Sequence, residues 1–331
     1  MRPGTSWAVA ALLAGASCAP GPPEGGVGGA QVETREGAGA ADAYVRPSAG
    51  GGDLLQGDTV PGFPSWTRQD LDVLRQMVGW AWSQRIDTLP IGQRLARIGE
   101  AFVGATYLPQ TLDPPGPERL VVTLRAFDCV TYIESMLVLA HFVRDAPRDI
   151  LDRQEQAMEL YQELLTRIRY RGGQLAGYSS RLHYFSEWLR DNERKGLVEL
   201  VTEELGSDVD PEPISFMTSH RDAYRQMEDA DVYADIARIE TTLSSTRRHY
   251  ITQERLELVV DRIRTGDIIA ATSTLAGLDV AHTGIALWKD GEVRLMHAPL
   301  VGSSVEISNL PLAERLRGIA TQDGVMVARP R

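Results

Sequence analysis

A chain of 331 residues with 43% apolar and 24% charged side chains is long enough to bury a core of its own and needs no disulfide scaffold. Its formal charge of −11 argues against general nucleic-acid binding. That charge also gives no long-range attraction to anionic polymers, so such a substrate must be held by local contacts.

The N-terminal MRPGTSWAVAALLAGASC has an early Arg, an apolar run from Trp7 to Ala14 and the small residues Gly15, Ala16 and Ser17. This is the layout of a signal peptide over residues 1–18, with an apolar run too short to span a bilayer. Cys18 follows directly, which raises a lipoprotein reading: cleavage before it and attachment of a lipid, although Gly15 stands where a bulky residue is expected. An ordinary signal peptide with Cys18 incidental is the other reading. Residues 19–63 are rich in Gly, Ala and Pro without sustained periodicity, so they read as a flexible tether. The expected location is outside the cytoplasm, in the periplasm or cell envelope, with a membrane anchor if Cys18 is lipidated.

Residues 64–331 read as one catalytic domain, helical first and β-rich later. Thr67 is placed to cap a helix whose apolar face carries Leu71, Leu74, Met77, Val78 and Ala81. A second helix spans about 92–103, and RLVVTL (119–124) suggests a short strand. CVTYIESMLVLAHFV, from Cys129, is apolar on most sides and reads as a buried helix. Another helix covers about 152–169. GDIIAATS (266–273), HTGIALW (282–288), EVRLMHA (292–298) and GVMVARP (324–330) read as strands, with Lys289-Asp290-Gly291 turning the middle pair into a hairpin. Helices followed by an antiparallel sheet make the expected class α+β.

Only two cysteines occur, and once Cys18 is lipidated or removed Cys129 has no intrachain partner. A leftover thiol in an exported protein is reactive, paired between molecules, or a small buried hydrophobe. Cys129 stands where the chain enters a helix, where backbone N–H groups and the helix dipole favour a thiolate and can receive an oxyanion. Asp128 opposes a thiolate and is better read as the helix cap. A nucleophilic cysteine needs a base, normally a histidine held by a third group. Of the six histidines, His282 begins one hairpin strand and His297 ends its partner, so the second could orient the first. His141 lies in an apolar helix, and His249 is read as part of a charged loop. The ordinary reading of each histidine is packing. No HExxH or CxxC pattern points to a metal, and no cofactor motif is present.

The order of Cys at a helix start, His at a strand start and a polar residue on the next strand resembles the NlpC/P60 papain-like cell-wall hydrolases. GATYLPQTLD (104–113), FDCVTYIESML (127–137), SRLHYFSEWLRDN (180–192), SFMTSH (215–220), GDIIAATSTLAGLDVAHTGIALW (266–288) and LMHAP (295–299) are similar, more narrowly, to the DUF1460 group of N-acetylmuramoyl-L-alanine amidase-like proteins. The resemblance covers residue 95 onward. It implies a papain-like core with helical insertions between Cys129 and His282 that wall the cleft. It implies Cys129 as nucleophile, His282 as general base, His297 as orienting residue and Tyr107 as a residue lining the site. Arg181, His183, Tyr184 and Trp188 look like a substrate-binding cluster, with core packing as the competing reading; Glu134 is read as structural. No metal or cofactor is implied. The implied substrate is peptidoglycan or its muropeptide fragments, cut between the muramoyl lactyl group and L-alanine. A D-γ-glutamyl-diamino acid endopeptidase, a non-catalytic wall-binding lipoprotein and an acyltransferase on the same fold remain alternatives.

Overall fold

The computed structural model describes residues 66–300 and 304–331. The expected signal peptide, Cys18 and the 19–63 tether lie outside the described residues.

Thr67 caps the first helix, α1 (Arg68–Ser83), through a reciprocal box with Asp70. Asp70 is fully buried and its second oxygen accepts from Leu124 N at 3.0 Å and Arg125 Nε at 3.1 Å. Helix α2 (Ile91–Ala101) packs on α3 (Cys129–Asp145), followed by α4 (Gln154–Arg169) and α5 (Phe185–Arg194). The strand expected over 119–124 does not form. Leu120 and the run Val122, Thr123 and Leu124 are buried, yet the backbone is satisfied by side chains, Leu124 N by Asp70 and Val121 O by Arg169 at 2.6 Å. The β-branched residues here mark a buried segment outside the sheets rather than a paired strand.

An antiparallel sheet fills the C-terminal part. Its order is β4 (Asp208–Asp210), β5 (Arg248–Thr252), β10 (Gln322–Pro330), β6 (Ile268–Ser273), β7 (Val280–Lys289), β8 (Glu292–His297) and β9 (Glu306–Pro311), with β3 (Val198–Leu200) also pairing with β10. The four expected strands are β6, β7, β8 and β10. Lys289 pairs with Glu292, and Asp290 (φ 53°) and Gly291 (φ 81°) form the two-residue turn between them. Two successive left-handed residues match the twist of the flanking strands. One sheet face, with Ile268, Ala270, Val280, Ile285 and Met296, closes the main core beneath α1–α5. The other, with Ile269, Ala271, Ala286 and Leu295, packs against Leu256, from α7 (Gln253–Val259), and against Leu312 and Leu316, from α8 (Leu312–Arg317). The architecture is α+β.

The stretch between Cys129 and His282 is less helical than expected. It contributes α4, α5, α6 (Ala230–Ser245) and α7, but also β3, β4, β5 and β6. His249 lies in β5, not in a loop, and contacts Ser207 Oγ at 3.1 Å. The polar sequence RHYIT hid this strand because Arg248 is buried by pairing with Asp210 at 3.0 Å rather than by apolar character.

Candidate active site

Helix α3 is buried from Thr131 to Val143, as its all-round apolar sequence requires. Its first turn is closed by Asp128, whose Oδ1 accepts from Thr131 N at 2.7 Å, while Thr131 Oγ1 accepts from Asp128 N at 2.9 Å. The capping role read for Asp128 is therefore the observed one. Burial pushes its carboxyl up, opposed by the Thr131 bonds and by Arg169. Cys129 is the first residue of the helix and is fully buried. Nucleophilic chemistry at this position belongs to its reduced form.

Tyr107 stands beside this turn. Strand β1 (Thr106–Tyr107) pairs in parallel with β2 (Ala126–Phe127), Tyr107 opposite Phe127. Burial, with Asp128 nearby, pushes its phenol above the usual range.

His282 and His297 are brought together. Carrying the Ile285–Met296 register one residue further sets His297 opposite Gly284 and diagonal to His282, within reach across an antiparallel pair. His282 Nε2 and His297 Nδ1 are 2.8 Å apart, with the rings nearly perpendicular. Gly284, between them, lets Leu295 and the β8 backbone pack close to β7, since a Cβ there would lie 2.6 Å from the Leu295 side chain and 2.9 Å from Met296 O. Burial first, then Arg315 on α8, holds His282 well below the ordinary imidazole range; burial, His282 and Arg315 do the same to His297. Both rings are therefore neutral near pH 7. His297 Nε2 is buried without a hydrogen bond, and the nearest carboxylate is Glu306, at 3.7 Å on the paired position of β9.

What joins the histidine strand to the cysteine is Thr283. Its buried Oγ1 donates to Cys129 O at 2.8 Å across 154 residues of sequence. His282 is the preceding residue of β7 and pairs with Ala271, so its side chain leaves the opposite sheet face, toward α8 and Arg315, and Thr283 ties the strand rather than the imidazole to Cys129. Thr283 was not singled out in the sequence; its only signal there was its place next to His282.

The four residues of the 181–188 segment are each engaged internally. Arg181 is buried against Asp113 (3.2 Å) and Glu118 (3.7 Å) and lies over the Tyr178 ring. His183 contacts Tyr178 O at 2.9 Å. Tyr184 donates to Glu240 at 2.6 Å and accepts from Met217 N at 2.9 Å. Trp188 donates to Glu134 at 3.2 Å and stacks on Phe185. Glu134 in turn pairs with Arg169 at 2.7 Å, the structural role read for it. Tyr184 and Trp188 have no exposed surface, so in this conformation they pack rather than present themselves to a ligand. Among the described residues no group of three or more His, Cys, Asp or Glu is placed to hold a metal ion.

Comparison with known proteins agrees with this fold. A family profile described as AmiA-like, N-acetylmuramoyl-L-alanine amidase-like, matches residues 97–322. A crystal structure of an N-acetylmuramoyl-L-alanine amidase from Bacteroides uniformis is 33% identical over 73% of this chain and 99% of that one, with a TM-score of 0.66. A Bacteroides fragilis protein provisionally called a xylanase is also 33% identical, over 70% of this chain and 98% of that one, with a TM-score of 0.63. A Legionella pneumophila protein of the DUF1460 family is 20% identical over 80% of this chain and 95% of that one; its TM-score of 0.57 speaks for the fold alone. No curated protein matches at a comparable level. The chain belongs to the N-acetylmuramoyl-L-alanine amidase-like family.

Proposed function

We propose that the protein is a cysteine amidase of the NlpC/P60 type that hydrolyses the bond between the muramoyl lactyl group and L-alanine in peptidoglycan or its fragments. The observation that carries this reading is the buried His282–His297 pair, 2.8 Å apart across the β7–β8 hairpin, whose strand β7 is tied through Thr283 to the helix-start residue Cys129. The reduced Cys129 thiolate attacks the amide carbonyl, giving a tetrahedral oxyanion. The amides of Val130 and Thr131 are engaged by the Asp128 carboxylate, which leaves the oxyanion to donors nearer Cys129. His282, positioned by His297, takes the thiol proton and delivers it to the departing L-alanine nitrogen as the C–N bond breaks. It then removes a proton from water, whose oxygen attacks the thioester and returns the thiol. A glycosidase would instead require two carboxylates flanking the scissile bond. Asp128, the carboxylate next to Cys129, is committed to the helix cap.

The same proposal places the enzyme in the periplasm or cell envelope, exported by residues 1–18 and anchored to the membrane through Cys18 when that residue is lipidated. The test is mass spectrometry of muropeptides incubated with residues 64–331 under reducing conditions, with and without EDTA, beside Cys129→Ala. Peptides beginning with L-alanine, formed despite EDTA and absent with the variant, are expected. Activity in Cys129→Ala sinks the thiol mechanism. Cleavage after D-glutamate moves the assignment to the endopeptidase, and no cleavage moves it to a binding or transferase role.

A further inference from the structure

His282 and His297 face each other as two neutral rings, so a single proton lies on the line between Nε2 of one and Nδ1 of the other. Only two arrangements exist. If His297 Nδ1 carries that proton, His297 Nε2 is a bare lone pair and the outer nitrogen of His282, Nδ1, bears a hydrogen. If His282 Nε2 carries it, His297 has its hydrogen on Nε2 and His282 Nδ1 is bare. These states differ in what they present to Glu306, whose carboxylate lies 3.7 Å from His297 Nε2. A lone pair facing a carboxylate is repelled, whereas an N–H facing it is attracted.

We infer that Glu306 is a positioning residue that selects the second arrangement, leaving His282 Nδ1 as the unprotonated, base-competent nitrogen of the site proposed above. Three features support this. Strand pairing sets Glu306 opposite His297, so the carboxylate is delivered by backbone register and not by a mobile loop. His297 Nε2 is buried and makes no hydrogen bond within the protein, so the nearby charge decides which tautomer it adopts. The other charged group acting on both rings is a cation, Arg315, which adds to burial in disfavouring a protonated ring and offers no competing acceptor. Glu306 also opposes Arg315 once His282 takes up a proton, because the positive charge can be shared along the pair toward the carboxylate. The inference rests on the amidase reading for its catalytic meaning, but the tautomer itself does not.

The test separates the two. Histidine ¹⁵N shifts are recorded for the Cys129→Ala protein with and without Glu306→Gln, in a chain labelled at histidine. Expected are a protonated Nε2 on His297 and a bare Nδ1 on His282, with this preference lost or mixed in Glu306→Gln. The same tautomers with and without the carboxylate overturn the inference whatever the enzyme cleaves. In parallel, Glu306→Gln in the Cys129 enzyme is expected to lower kcat about 10-fold with KM nearly unchanged and to move the acid limb of kcat/KM to lower pH. Glu306→Asp should recover part of the loss. Unchanged kcat and acid limb in Glu306→Gln, at intact muropeptide activity, also overturn it. A Cys129 enzyme with no activity, beside the expected tautomers, leaves Glu306 as the selector and removes the amidase reading instead.

Discussion

The β7–β8 hairpin and the 178–188 segment offer the same chemistry on paper, histidines and aromatic residues beside a cysteine helix, but the fold uses them oppositely. In the 178–188 segment the four residues read as a binding cluster are engaged internally: Arg181 by Asp113 and Glu118, His183 by Tyr178 O, Tyr184 by Glu240 and Trp188 by Glu134. In the hairpin, two neutral imidazoles face each other, one nitrogen of His297 makes no internal hydrogen bond, and the neighbouring Thr283 grips Cys129. Residue type did not separate the regions. Residual hydrogen-bonding capacity did, because a saturated buried group has nothing left to offer a substrate.

The largest effect that would break this comparison is at His282. His282→Ala is expected to lower kcat by ~10²–10⁴-fold, and His297→Asn or Gln by less, since orientation is more replaceable than proton transfer. Steady-state kinetics with muropeptide substrate checks the ranking. The reverse order would exchange their roles, and full activity in His282→Ala would make the pair structural.

The second test sharpens the other half. Trp188→Ala should cost about 3–5 kcal/mol of stability, by lost packing and by stripping a partner from the buried Glu134–Arg169 pair. Denaturant unfolding beside kinetics per folded molecule decides the point. A KM that rises tenfold at unchanged stability would turn Trp188 from a packing residue into a substrate contact.

His141 lies outside both regions and serves as a control for buried histidines. Burial, assisted by Arg144, holds it down to about 4. The folded state keeps it neutral while the unfolded chain protonates below roughly 6.5, so its contribution to stability is lost as pH falls through that window. The stability of wild type relative to His141→Gln should therefore drop by about 1–2 kcal/mol between pH 7 and pH 5, read from denaturant midpoints. A constant difference would mean that His141 is charged in the fold.

The smallest effect concerns the link. Thr283→Val removes the bond to Cys129 O and leaves that carbonyl buried, costing about 1–2 kcal/mol. Loss of kcat beyond what unfolding explains would show that the bond also sets the register between cysteine and histidine. An unaltered kcat and stability would show that it sets neither.

The amino-acid order by itself determined the helices with one buried stripe or an all-apolar surface, the Thr67 and Asp128 caps, the Asp290-Gly291 turn and hence the hairpin that carries both histidines. These are local: each depends on residues within a few positions of one another, and the relevant energies are summed along the chain. Tertiary structure alone decided the rest. RLVVTL has a strand's β-branched residues, but its backbone partners are Asp70 and Arg169 from distant helices. RHYIT reads as a charged loop, but Asp210 neutralises Arg248 and lets it enter the sheet. Thr283 matters only because α3 arrives beside β7, and Trp188 packs only because Glu134 and Phe185 meet it. A polar side chain's role is set by which partner reaches it, and for buried groups that partner comes from a remote part of the chain.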